Sequence, residues 1–147
     1  MSGAVLDKRI RENVYAMFKV NRYWIGDMEN EVLEPGFVRN TAIVPDQARN
    51  THGFAFGGYL IGLVDCTACG APWTLGKRVV TQTMDTHFLR SAKVGDRIVV
   101  EARSVHCGRS SAVAEVRMTS ADDPAHVLLT STVTMHITGP VVDVPEQ

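Results

Sequence analysis

The stretch that most constrains this chain is Phe56-Gly57-Gly58-Tyr59-Leu60-Ile61-Gly62-Leu63-Val64-Asp65. Two adjacent glycines open an apolar run, and one carboxylate stands inside it. A lone Asp in such surroundings is costly unless it is paired or working. The segment predicts a helix over residues 57–71, ended by Pro72 and Gly76. Tyr59, Leu60, Ile61, Leu63, Val64 and Ala68 place apolar groups nearly all round it. Such a helix has to be enclosed rather than half-exposed.

The rest of the chain supplies material for the enclosure. Residues 79–89, 97–105, 111–119 and 127–138 predict four strands joined by short, turn-like segments. The last alternates, with Val127, Leu129, Ser131, Val133, Met135 and Ile137 on one side and Leu128, Thr130, Thr132, Thr134 and His136 on the other. That is the pattern of a half-buried antiparallel strand. Residues 31–44 predict one more strand, in which Pro35-Gly36 marks a turn or a bulge. Residues 5–18 carry Leu6, Ile10, Val14, Met17 and Phe18 at helical spacing and predict a short amphipathic helix. Residues 21–30 read as a connector whose Tyr23, Trp24 and Ile25 are expected to lie over other parts of the protein. A polar loop, 45–56, leads into the central helix, and Gly139-Pro140 ends the last strand before a loose tail, 141–147. The order gives an α+β fold, an antiparallel sheet against one long helix.

At 147 residues, the chain suits a single domain with a real core. A formal charge of -1 gives no electrostatic case for nucleic acid or an anionic membrane. No stretch approaches the ~18 uninterrupted apolar residues of a membrane span. The first residues lack an apolar signal core, and three cysteines without a pairing framework fit a reducing, cytoplasmic setting.

In order and spacing, residues 31–139 resemble the hotdog fold and, within it, the PaaI-like acyl-CoA thioesterases. That family's pattern is Asn, a short loop, His-Gly-Gly, and an apolar helix with Asp seven residues after the second Gly. Here it stands as Asn50, Phe56-Gly57-Gly58 and Asp65. The segment Phe88-Leu89-Arg90-Ser91-Ala92-Lys93-Val94-Gly95-Asp96 is similar to the family's next strand ending, and Gly108-Arg109 to one of its turns. The resemblance implies a sheet wrapped around the helix and hydrolysis of an acyl-CoA to the free acid and coenzyme A, with no cofactor and no metal. One position departs from it: Phe56 replaces a His that in relatives helps hold the loop and the thioester carbonyl. His52, four residues earlier, is the nearest substitute.

Each candidate residue has a chemical reading and a plainer one. The N–H groups of Gly57 and Gly58 at a helix start suit a developing oxyanion, or the glycines serve a tight helix entry. Asp65 would act as general base on water or as nucleophile, or is a structural carboxylate. Asn50 would position the water or hold the loop, and an Asx turn is the plain alternative. By the resemblance, Thr81 lies where active relatives carry a hydroxyl or polar partner for the water, with Thr83 on the same strand face as its substitute; either is also an ordinary strand residue. By the resemblance, Phe56 would touch substrate, and Arg90, Arg109 and Ser110 would meet the nucleotide of coenzyme A, where they are otherwise solvated turn residues. Trp24, Trp73 and Phe54 would line an acyl pocket or fill core.

Gly57 and Asp65 stand eight residues apart on one helix, about 12 Å along its axis. A base and an oxyanion donor must each lie within ~3 Å of one reacting centre. If both work, Asp65 has to meet Gly57 of a second subunit, so a homodimer is expected, with a dimer of dimers as a further arrangement.

Other functions are weaker. Cys66-Thr67-Ala68-Cys69 invites a redox or zinc reading, but it begins far from the helix start and lacks two further ligands at motif spacing, so packing is expected. A hydratase of this fold needs the missing His. A non-catalytic acyl-CoA or aromatic-ligand binder is the main alternative, motivated by Phe56.

Overall fold

The computed structural model describes residues 5–142. Helix α1 (Lys8–Ile25) starts at Asp7, whose side chain accepts bonds from the Arg9 and Ile10 N–H groups. It buries Val14, Met17 and Phe18. The expected end near Phe18 is wrong by two turns. Asn21 keeps the helix docked by donating to Met17 Sδ and Cys66 Sγ, both at 3.1 Å. Ile25 then packs so close to Gly62 that a Cβ there would stand 2.9 Å from its Cγ2. Gly26, at φ 77°, ends the helix. Tyr23 and Trp24 are not covered within the chain: both are 82% exposed and meet only edge to face, with ring centroids 5.0 Å apart.

The single strand expected over 31–44 is a hairpin, β1 (Glu29–Glu34) and β2 (Phe37–Ile43), folded over Pro35-Gly36. Gly36 takes φ 76°, which glycine adopts without steric cost. Helix α2 (Gly57–Thr74) runs one turn beyond the expected stop. Pro72 sits inside its last turn, where it forfeits only the bond to the Ala68 carbonyl. Gly76, at φ 78°, closes the end by donating to Trp73 O at 2.9 Å.

Strands β3 (Lys77–Phe88), β4 (Arg97–Cys107), β5 (Ser111–Ser120) and β6 (Val127–Pro140) complete an antiparallel sheet ordered β1-β2-β4-β5-β6-β3. Gly139-Pro140 does not end β6: the ladder runs through Pro140, and the Val141 N–H reaches Gly76 O at 3.0 Å. The rest of the expected tail, 143–147, lies outside the described residues. The sheet wraps α2, burying Leu63, Val64, Ala68 and Ala71 against Val38, Val100, Ala114, Met118, Leu129 and Met135. Alanines at 102, 112 and 114, all fully buried, let the backbone come close to the helix.

A buried polar chain sets how α2 is turned. Asn30 donates to Asn40 Oδ1 at 2.7 Å, Asn40 donates to Thr67 Oγ1 at 3.0 Å, and Thr67 donates to Leu63 O at 2.7 Å. With Thr67 held toward β2 and Cys66 toward α1, the neighbouring Asp65 points toward the β3 edge of the sheet. Gly58, Ile61, Asp65 and Cys69 form one stripe of the helix that stays only partly covered. Beside that stripe runs β3, one of the two edge strands of the sheet.

Candidate active site

Asp65 meets β3. The Thr81 hydroxyl donates to Asp65 Oδ1 at 2.5 Å, and the same Thr81 Oγ1 lies 3.4 Å from Cys69 Sγ. The carboxylate in the apolar run is therefore paired, by the threonine that the family resemblance singled out. Thr83 does not share that face. A bulge at Gln82 shifts the register, so Thr81 pairs with inward Met135 while Thr83 pairs with outward Thr134. A single extra residue reverses the alternation, and nothing in the strand's composition marks it.

The other half of the candidate site lies at the start of α2. Phe56 is its N-cap, and its carbonyl accepts from Tyr59 and Leu60. Gly57 and Gly58, the first two helical residues, donate to no group among the described residues. These free N–H groups sit at the positive end of the helix dipole. The Phe56 ring folds back over Gly58, leaving no room for a Cβ there, and is itself 57% exposed. At Gly57 a Cβ would stand 3.5 Å from the Phe88 ring.

A cleft of about 300 Å³ opens beside these N–H groups, lined among others by Asn50, Gly57, Leu60, Phe88, Leu89 and Arg90. Asn50 is held as an Asx turn: its Oδ1 accepts from the His52 and Phe54 N–H groups at 2.9 and 3.0 Å. The loop is thereby fixed while the Asn50 amide nitrogen faces no partner among the described residues. The His52 ring is exposed at the loop tip. Arg90 donates to Val127 O at 2.9 Å at the cleft's edge. Sequence reasoning gave Phe88 and Leu89 no role, yet they wall the cleft while 51% and 53% exposed. Their place at the end of an alternating strand gave no signal of it.

Arg109 and Ser110 are exposed in the β4–β5 turn. The Ser110 carbonyl accepts from the Ile137 N–H at 2.9 Å, and Ile137 pairs on its other side with Val79, so β6 lies between this turn and the start of β3. Within one chain, then, Arg90 lines the cleft beside Gly57, while Arg109 lies in a turn one strand away from the start of β3.

The C-x-x-C cysteines are packed. Burial pushes the Cys66 thiol up to about 12 and the Cys69 thiol up to about 11, the reverse of what a reactive thiolate needs. Trp73 and Ala55 are buried, so Trp73 serves as core, whereas Trp24 lies in the open. No helix among the described residues is long and apolar enough to cross a membrane.

Solved structures similar to this fold are numerous. A protein of Streptococcus mutans UA159, smu.793, solved bound to acetyl CoA, is 31% identical; the likeness covers 79% of this chain and 92% of that one, with a TM-score of 0.76. A hypothetical thioesterase from Streptococcus pneumoniae TIGR4, solved with coenzyme A, is 29% identical over 79% of this chain and 92% of its own, with a TM-score of 0.75. That protein has also been solved with an aspartate, and separately a threonine sixteen positions further on, replaced by alanine. The Escherichia coli PaaI protein of the phenylacetic acid degradation operon is 22% identical over 93% of this chain and 99% of its own, with a TM-score of 0.84, which supports the hotdog fold. No curated protein matches. The family model of the thioesterase superfamily matches residues 52–125, half of the sequence and the whole run from the loop through β5. This chain belongs to the thioesterase superfamily.

Proposed function

We propose that the protein is an acyl-CoA thioesterase whose site is shared between two copies of the chain. The observation that carries this reading is the Thr81–Asp65 bond on the partly covered stripe of α2. It is paired with two unused N–H donors at the start of the same helix. The Streptococcus pneumoniae alanine variants fall on an Asp and a Thr with the same sixteen-residue separation as Asp65 and Thr81. Two relatives hold acetyl CoA or coenzyme A.

In this reading the thioester oxygen lies on the Gly57 and Gly58 N–H groups of one subunit. These backbone donors need no help from a His at position 56 and become stronger as negative charge develops on the oxygen. Asp65 of the partner takes a proton from water as the water attacks the carbonyl carbon. Collapse of the tetrahedral intermediate then expels the coenzyme A thiolate. Thr81 steadies the carboxylate, and the Asn50 amide lies beside the cleft as a further donor. Arg90 from one subunit, with Arg109 and Ser110 from the other, would meet the phosphates of coenzyme A. Phe56, Phe88 and Leu89 would give the acyl group an apolar wall.

Two features support the second copy. One unbroken helix holds Gly57 and Asp65 about 12 Å apart, too far for one reacting centre. In addition, β3 is a long edge strand with Val80 52% exposed, and an unpaired edge of that length invites pairing with another chain. The test is coenzyme A release from acetyl-, octanoyl-, phenylacetyl- and benzoyl-CoA by the wild type and by Asp65→Asn. Hydrolysis that falls at least ~100-fold in the variant, about 2.7 kcal/mol of barrier, supports the reading. Binding of these compounds without turnover by the wild type would instead make the protein a ligand binder, with Phe56 the residue to examine.

A further inference from the structure

Thr81 has one hydroxyl proton, and it points to Asp65 Oδ1 at 2.5 Å. The second contact of Thr81 Oγ1 is Cys69 Sγ at 3.4 Å, within reach for a sulfur donor. Thr81 has no proton left to give there, so the S–H must be the donor. Cys69 follows Asp65 by four residues, one helical turn, so the two side chains face the same residue of β3. Thr81 also adjoins the bulge at Gln82, where regular pairing does not hold the strand's register.

We propose that Cys69 is a positioning residue, resting on the reading of Asp65 as the base: its thiol donates to Thr81 Oγ1 and so commits the Thr81 hydroxyl to Asp65. A hydroxyl turns freely about its C–O bond unless its lone pairs are engaged. The thiol occupies the lone pair that would otherwise accept from water, and a donor at that oxygen polarises the O–H bond toward the carboxylate. Burial pushes the thiol up to about 11, so the proton stays on sulfur throughout the neutral range. The cysteine then contributes a fixed hydrogen rather than a nucleophile.

A double-mutant cycle tests this on the acyl-CoA that the wild type turns over fastest, using Cys69→Ala, Cys69→Ser, Thr81→Val and Cys69→Ala/Thr81→Val, with melting midpoints recorded for each. Cys69→Ala is expected to lower kcat about fivefold, ~1 kcal/mol, with KM unchanged, and Cys69→Ser, which keeps a donor, to return kcat to within about twofold of wild type. In the Thr81→Val background the alanine change should have no further effect. Should Cys69→Ala fail to fold, Cys69→Val takes its place as a donor-free filler of the same space. A readout independent of turnover is the infrared S–H band of Cys69, isolated by difference against the alanine variant. It should lie at a hydrogen-bonded frequency and move to the free one in Thr81→Val. A Cys69→Ala loss of equal size in both backgrounds, or a free S–H band in the wild type, overturns the proposal. Full activity of Cys69→Ala alongside an inactive Asp65→Asn overturns it alone, whereas an active Asp65→Asn removes the underlying reading as well.

Discussion

Thr81 and Asp65 are joined by a hydrogen bond of 2.5 Å that ties the edge strand of the sheet to the middle of the central helix. It answers the question the sequence poses, how a carboxylate is held within an apolar run. It also fixes where that carboxylate can act, since it lies on the stripe of α2 that stays only partly covered.

Removing the hydroxyl tests the bond directly. Thr81→Val keeps a β-branched side chain that suits a strand. Because bonds to charged groups contribute about 1.5–3 kcal/mol, kcat should fall roughly ten- to hundredfold. KM should stay unchanged, as read by coenzyme A release.

The backbone donor at Gly57 can be deleted without disturbing the helix. Proline is favoured at the first helical position, and Phe56, at φ -64° and ψ 132°, already has the backbone that a residue before proline requires. Gly57→Pro should keep its circular dichroism and melting midpoint yet lose about 10² in kcat, the usual effect of removing one oxyanion donor.

Two glycines on α2 predict different stability outcomes from one type of change. A Cβ at Gly70 would stand 2.6 Å from the Phe18 ring and 3.2 Å from Val38 Cγ2, and both neighbours are fully enclosed. Gly70→Ala should destabilise by about 1–3 kcal/mol through overpacking. At Gly58 the obstacle is the Phe56 ring, which is exposed and can swing away. Gly58→Ala should change stability by less than about 0.5 kcal/mol. Urea unfolding of the two variants separates them.

The buried thiols make stability fall in alkali. Burial raises Cys66 to about 12 and Cys69 to about 11 from an ordinary 9.0. Above pH 9 the unfolded chain releases protons that the folded chain keeps, so the unfolded state gains. The contribution is whole below pH 9 and is lost as pH rises through 11 to 12. Each thiol adds a slope of up to about 1.4 kcal/mol per pH unit in that window. Unfolding free energies at pH 8, 9 and 10 should decline, and Cys66→Ala should decline less steeply; an unchanged slope would mean that Cys66 titrates alike in both states.

The central helix and the antiparallel sheet were legible in the sequence, because the glycine pair, the apolar run and the alternation of β6 are local patterns; Thr81 was singled out only through the family resemblance, as support for the water and not as the partner of Asp65. What was not legible depends on contacts distant in sequence. The last two turns of α1 form because Asn21 finds Cys66, forty-five residues away. The bulge that turns Thr83 outward is a property of how β3 meets β6. Cys69 looked like helix filling until β3 brought Thr81 against it.

The central claim, that two chains build one site, is tested most directly by mixing. Asp65→Asn and Gly57→Pro homodimers should each be nearly inactive. After subunit exchange at equal concentrations, half of the dimers are hybrids, and each hybrid joins an intact Gly57 from one chain to an intact Asp65 from the other. Coenzyme A release should then recover to about a quarter of the wild-type rate, as two-fold symmetry requires. If exchange, followed by mass spectrometry, forms hybrids that stay as inactive as their parents, Gly57 and Asp65 do not meet across two chains and the account is wrong.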